Sequence, residues 1–118
     1  MATINDLDNQ LNNMILQGKI LEAFDKFYAD DVVMQENDDA PTVGKDANRE
    51  REQQYVASIE AFHSAAVVSH AINDDVSFSQ WKTDVTYKGA PRAQSSQVAV
   101  REWQDGKVVR EQFYHQGY

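Results

Sequence analysis

Apolar side chains return every three or four positions along the start of this chain and every second position from Phe62 onward. Ile4, Leu7, Leu11, Met14 and Ile15 trace one helical face, with Thr3 placed to cap its start and Gly18 to stop it. Ile20, Leu21, Ala23, Phe24, Phe27 and Tyr28 form the stripe of a second, shorter helix ending in Asp30-Asp31, which read as cap residues. A short strand over 32–36 follows at once. Strand parity points Val32, Met34 and Glu36 one way and Val33, Gln35 and Asn37 the other, so a carboxylate ends an otherwise apolar row. The run Asn37-Asp-Asp-Ala-Pro-Thr reads as a surface loop, and Gly44 precedes a third, charge-rich helix over 45–59. Four strands are then predicted, His63–Ile72, Val76–Tyr87, Ala93–Trp103 and Lys107–His115. Asn73-Asp74-Asp75, Lys88-Gly89-Ala90-Pro91 and Gln104-Asp105-Gly106 connect them as hairpins. Helices followed by an antiparallel meander argue for α+β, a curved antiparallel sheet wrapped against three N-terminal helices in one domain, 1–118.

Composition narrows the function. A chain of 118 residues that is 42% hydrophobic makes one two-layer core. The formal charge of -8 is spread along the sequence and repels phosphate backbones, so nucleic acid is not an expected partner. With no cysteine, neither a disulfide framework nor a thiolate metal site is available. His63 and His70 stand an odd number of residues apart with no acid or second histidine two positions from either, so no metal site is expected. No signal sequence or membrane span is legible, and a cytoplasmic location is the expectation.

Four stretches carry a family resemblance: Phe27-Tyr-Ala-Asp-Asp-Val-Val, the Gly44-Lys45 helix start, the strand bearing Trp81, and the closing hairpin Trp103-Gln-Asp-Gly-Lys-Val-Val-Arg-Glu. Across nearly its whole length the chain resembles the NTF2-like superfamily, in its SnoaL-like branch, whose members are small cone-shaped α+β domains. The resemblance specifies fold well and activity poorly, because the superfamily holds isomerases, cyclases, dehydratases, hydrolases and binding modules. It implies that Glu36 stands where ketosteroid-isomerase-like members carry a proton-shuttling acid. The chain departs from that pattern in having no tyrosine on the first helix, and Gln97 or Ala99 where a second acid would be expected. SnoaL-type cyclases place an acid on the last strand, and Glu111 stands there. Alternation groups Val109, Glu111, Phe113 and His115 on one face, and the apolar members make that face the inner one.

The expected cavity is therefore lined by Met34, Glu36, Tyr55, Trp81, Glu111, Phe113 and His115, with catalysis assigned to Glu36, Glu111 and His115. Arg51, Tyr87 and Gln97 join the ligand-binding set. On the third helix Ala47, Arg51, Tyr55 and Ile59 share a stripe, with Asn48 and Glu52 beside it, so Arg51 either turns inward to meet a carboxylate or interrupts the stripe in solvent. Trp81, Thr83, Val85 and Tyr87 read either as core or as cavity wall. The functional expectation is a small-molecule-pocket protein without cofactor whose ligand, a small apolar or carbonyl-bearing molecule, the sequence does not identify; as an enzyme it would be an isomerase, cyclase or lyase using a pocket carboxylate. The alternative is a non-catalytic ligand-binding or accessory module. Apolar residues on both faces of the strand holding Val98 and Val100 predict a homodimer through the outer sheet face.

Overall fold

Thr3 starts the first helix as the spacing predicts. Its hydroxyl accepts from the Asp6 amide at 3.1 Å while the Asp6 carboxylate accepts from the Thr3 amide at 3.2 Å, so two backbone donors at the helix start are satisfied reciprocally. In the computed structural model, which describes residues 2–115, the elements run α1 (Ile4–Leu16), α2 (Ile20–Phe27), β1 (Tyr28–Glu36), β2 (Thr42–Val43), α3 (Lys45–Ser58), β3 (Ile59–Asn73), β4 (Val76–Tyr87), β5 (Ala93–Gln104) and β6 (Lys107–Tyr114). The architecture is α+β, three helices with one six-stranded mixed sheet in the order β2-β1-β6-β5-β4-β3. Among the described residues, no helix is long and apolar enough to cross a membrane.

Three expectations need correction. The sheet is not wholly antiparallel: β1 pairs with β6 in parallel, with Met34 beside Glu111 and Glu36 beside Phe113. Hairpins fix the meander as antiparallel, but β1 and β6 are joined by most of the chain, and a connection that long permits parallel pairing. Periodicity within either strand carries no trace of it. Second, Asp30 and Asp31 do not cap α2. The helix ends at Phe27, and these two exposed acids lie in an irregular stretch of β1 between the Tyr28 and Val33 pairings. Third, a bulge opposite Glu102 and Trp103 shifts the parity of β6, so Val108 rather than Val109 is fully buried, while Glu111 remains inward.

Asp105-Gly106 closes the β5–β6 hairpin with positive φ at both residues, 52° and 76°, the backbone that a two-residue type I′ turn demands. Three further register shifts along β3 bend the longest strand. Leu11, Phe24, Phe27, Val32, Met34, Trp103 and Val108 form the apolar core where α1 and α2 meet β1, β5 and β6. Phe27 meets the Trp103 ring edge-on at 6.3 Å, and each such aromatic removed from water contributes about 1.5–3 kcal/mol.

A polar cluster is built into this core. Asp8 and Asn12, one turn apart on α1, are buried against the sheet, and Arg101 on β5 reaches them with only 2% of its surface exposed. Its Nη1 donates to Asp8 Oδ1 at 2.9 Å and to Asn12 Oδ1 at 2.6 Å, and its Nε donates to Glu111 Oε2 at 2.6 Å. Ser77 Oγ donates to Asp8 Oδ1 at 2.7 Å, and the His70 ring bonds Asp8 Oδ2 at 2.6 Å. Burial alone would raise the Asp8 carboxyl, but the Arg101 charge, with hydrogen bonds from Ser77, Arg101 and His70, outweighs it and holds the group below the ordinary carboxylate range.

Removing the guanidinium leaves two buried carboxylates uncompensated, so Arg101→Met should destabilise the fold by about 3–5 kcal/mol in chemical denaturation. A loss under about 1 kcal/mol would remove the cluster from the account of stability. Because the folded Asp8 value is depressed, its contribution is complete above the unfolded value of about 3.9 and drains away as pH falls through the folded one. Denaturation midpoints should therefore drop below about pH 4 in the wild type, and Asp8→Asn should flatten that acid limb.

Candidate functional site

Between α1, α2, α3 and the inner sheet face lies a cavity of ≈ 440 Å³, a size suited to a small molecule. Its wall is largely apolar: Leu11 and Ile15 from α1, Ile20, Ala23 and Phe24 from α2, Met34 from β1, Trp81 from β4 and Phe113 from β6. Strand alternation brings polar groups into the same cavity. Met34 and Glu36 share a face of β1, Gln97 and Arg101 share one of β5, and Glu111 and Phe113 share one of β6. A larger, more open hollow of ≈ 940 Å³ lies on the other face, among Ser64, Ala66, Lys82, Gln94 and Ser96. Small and amide side chains dominate it, with Lys82, Asp84 and His115 also on its wall.

At the cavity edge, Glu36 Oε2 and His115 Nε2 are 2.6 Å apart, and the side chains are 28% and 7% exposed. The pair is held from behind. Asn37, with φ of 49°, accepts from the His115 amide at 2.9 Å through its side chain and from Gln112 Nε2 at 2.7 Å through its carbonyl. Arg51 resolves its two possibilities by lying at the mouth. Its side chain is 44% exposed, Nη1 donates to Thr42 Oγ1 at 3.1 Å, and Nη2 stands 3.9 Å from Glu36 Oε1. At that distance and exposure the pairing is weak.

The floor is different in kind. Glu111 is 1% exposed, and both its oxygens are engaged: Tyr28 donates to Oε1 at 2.6 Å and Arg101 to Oε2 at 2.6 Å. Burial, reinforced by the neighbouring Glu111 charge, pushes the Tyr28 phenol well above its ordinary value, so it stays a donor. Burial would lower Arg101, but the Glu111 and Asp8 carboxylates more than offset it, and the guanidinium is held charged.

Asn48, Glu52 and Tyr55 follow the helical spacing of α3 onto the cavity wall. The Asn48 amide ties the helix to the strands, Nδ2 facing the carbonyls of Val32, Thr42 and Gly44 at 3.3, 3.0 and 2.8 Å, while its buried Oδ1 has no hydrogen-bond partner among the described residues. Glu52 is half-buried, and its carboxyl is raised to about 7, first by burial and then by the charges of Glu111 and Glu36, against the pull of Arg51 and Arg101. The cavity thus holds a carboxyl that changes charge near neutrality. The Tyr55 hydroxyl lies 3.2 Å from that of Tyr87.

Met34, Glu36, Arg51, Tyr55, Trp81, Gln97, Glu111, Phe113 and His115 all line this one cavity; Tyr87 stands behind Tyr55 and is not part of the wall. Sequence reasoning missed Glu52, Tyr28, Arg101, Asp8 and Asn12. Spacing offered a signal for two of them: Arg101 shares a strand face with Gln97, and Asp8 falls on the Ile4–Leu11–Ile15 stripe as a polar residue in an apolar row. Among the described residues, no group of three or more His, Cys, Asp or Glu side chains is placed to hold a metal ion.

A comparison with curated proteins finds no match. Among solved structures, a provisionally assigned SnoaL-like polyketide cyclase from Mesorhizobium loti, also described as a carbohydrate phosphatase, superposes with a TM-score of 0.85 at 27% identity, over 96% of this chain and 99% of that one. A provisionally assigned SnoaL-like polyketide cyclase from Jannaschia sp. CCS1 gives 0.82 at 8% identity, over 98% and 90%. An LEH-like epoxide hydrolase from M. tuberculosis gives 0.75 at 15%, over 93% and 80%. The last two show likeness of fold alone. The family model described as a SnoaL-like domain matches residues 2–115, and the chain belongs to the SnoaL-like family, within the NTF2-like superfamily.

Proposed function

We propose that this protein is a cofactor-independent isomerase, cyclase or lyase that moves a proton on a small carbonyl-bearing molecule held in the inner cavity. The observation that carries the reading is the Glu36–His115 pair at 2.6 Å, a carboxylate-backed imidazole at the edge of a mostly apolar cavity. In this scheme the imidazole takes a proton from a carbon beside the carbonyl, and the C–H electron pair moves onto the carbonyl oxygen as an enolate. Glu36 stabilises the imidazolium so formed. The imidazolium then returns the proton at the γ carbon where the substrate is β,γ-unsaturated, or the enolate carbon attacks a second carbonyl, closing a ring, and the alkoxide so formed takes the proton from the imidazolium. Glu111, held by Tyr28 and Arg101, serves as a fixed negative charge beneath the site and positions it electrostatically. Met34, Trp81 and Phe113 exclude water, while Arg51, Tyr55 and Gln97 orient polar atoms of the ligand. The similar structures from Mesorhizobium loti and M. tuberculosis, a provisionally assigned polyketide cyclase and an LEH-like epoxide hydrolase, support a small-molecule site on this fold.

We further propose a homodimer through the outer sheet face, supported by the exposed apolar side chains of Val68, Phe78 and Tyr114 around Val98 and Val100. Light scattering should return twice the chain mass at micromolar concentration; the monomer mass would end that proposal.

Proton abstraction is measurable without the natural substrate. In D₂O, the wild-type protein should speed deuterium uptake beside the carbonyl of acetophenone or cyclohexanone above the buffer rate, followed by proton NMR. His115→Gln should lose about 10²–10⁴-fold of that acceleration. Glu36→Gln should lose less while keeping the fold. No acceleration by the wild type with either ketone, or full activity in His115→Gln, would overturn the catalytic reading.

Glu52 carries its own signature in stability. Its raised folded value means the unfolded chain releases the proton first, so its contribution to stability falls as pH rises from about 4.5 to about 7 and is level above. Glu52→Gln should therefore raise the Tm at pH 8 and leave it nearly unchanged at pH 4; a lower Tm at pH 8 would contradict the assignment.

A further inference from the structure

Carboxylates outnumber cations on the cavity wall, Glu36, Asp39, Glu52 and Glu111 against Arg51 and Arg101. Arg101 is fully committed at the floor, and Arg51 lies half-exposed at the mouth, away from that floor. Arg101 lies between Glu111 and Asp8 at 2.6 and 2.9 Å, and Arg51 bonds Thr42 and flanks Glu36. Glu52 forms no ion pair or hydrogen bond among the described residues. Around the same space stand the rings of Phe24, Tyr28, Tyr55, Phe62, Trp81 and Phe113. An aromatic face attracts a cation through its quadrupole, most strongly where water is excluded. An anionic ligand would meet four carboxylates. A neutral one would leave Glu52 either uncompensated or protonated.

We propose that the cavity selects a small organic cation, an alkylammonium group seated against the aromatic wall with its charge on Glu52. The proposal rests on reading the cavity as a ligand site and names the chemical class of that ligand: a substrate whose ammonium end occupies Glu52 and whose reacting end lies toward Glu36 and His115.

Binding is coupled to a proton. The groups facing Glu52 are Tyr28 and Glu36 from β1, Arg101 from β5, Glu111 from β6 and Arg51 from its own helix, with His115 bound to Glu36. Burial and the two neighbouring carboxylates keep Glu52 half-protonated near neutrality, at about 7. A cation binds the ionised form, so the proton leaves as the cation enters. Affinity for a permanent cation should rise about tenfold between pH 6 and pH 8 and level off beyond.

Choline and its neutral carbon isostere, 3,3-dimethylbutan-1-ol, isolate the charge because they share a shape. Titration by calorimetry and by tryptophan fluorescence should give choline at least a tenfold tighter Kd than the isostere at pH 8.5, with the advantage shrinking at pH 6. Proton release on binding choline, read from the dependence of the heat on buffer, should reach about half a proton at pH 7. Glu52→Gln should bring the two probes to similar affinities and remove the pH dependence. If the isostere binds as tightly as choline at pH 8.5, or if Glu52→Gln keeps the preference and its pH profile, the cation proposal fails while the ligand cavity stands. If neither probe binds, the cation proposal fails and the cavity loses its support as a site for small ligands of this size.

Discussion

Arg101 is a full positive charge in a core that excludes water, and it persists only because two carboxylates from distant parts of the chain close on it. Asp8 comes from the first helix and Glu111 from the last strand. The cost of burying these charges is recovered only if all three arrive together with the right geometry. The cluster therefore acts as a registration device: α1 can dock on the sheet only where Asp8 and Asn12 meet the guanidinium, and β6 can pair beside β5 only where Glu111 does. Ser77, His70 and the Tyr28 hydroxyl occupy further polar positions on the carboxylates. The Trp103 indole N–H, donating to Ser77 Oγ at 3.0 Å, joins this network to the apolar core.

The same arrangement reaches the cavity from below. Glu111 is fixed in place by Tyr28 and Arg101, so its negative charge is felt by Glu52, which lacks a cation of its own. Two carboxyls close in space thus have unlike environments. One is bound by a guanidinium and a phenol; the other faces apolar walls and like charge, which favours its neutral form. The difference separates a residue that holds the structure from one whose charge changes with conditions, and the structural residue tunes the titrating one. A stabilising cluster and an electrostatically strained site are adjacent parts of one network.

Most elements were legible because their signals are local. The Thr3 cap, the period of α1 and α2, the hairpin turns and the alternation of β4 and β5 each depend on residues within a few positions of one another. The inward parity of Met34, Trp81, Glu111 and Phe113 was readable for the same reason. What escaped was set by tertiary contact. The parallel β1–β6 pair joins strands at opposite ends of the chain, and the β6 bulge moved Val108 inward in place of Val109. His70 read as an isolated histidine because its acid, Asp8, lies 62 residues away. Glu52 read as a flank of the helix stripe because the burial that raises it, and the Glu111 charge that adds to it, both arise from tertiary packing. Arg101 sat in plain view on an alternating strand, yet a buried arginine becomes intelligible only once both its carboxylates are known.

Burial and the fixed charge of the Arg101–Glu111 pair leave Glu52 as the titrating group of the cavity. Carboxyl-carbon NMR of the glutamates, followed across pH in the wild type and in Glu111→Gln, measures that directly. The Glu52 midpoint should be about 7 in the wild type and fall when the Glu111 charge is removed. A wild-type midpoint near the ordinary value of about 4.3, unmoved in Glu111→Gln, would contradict that assignment.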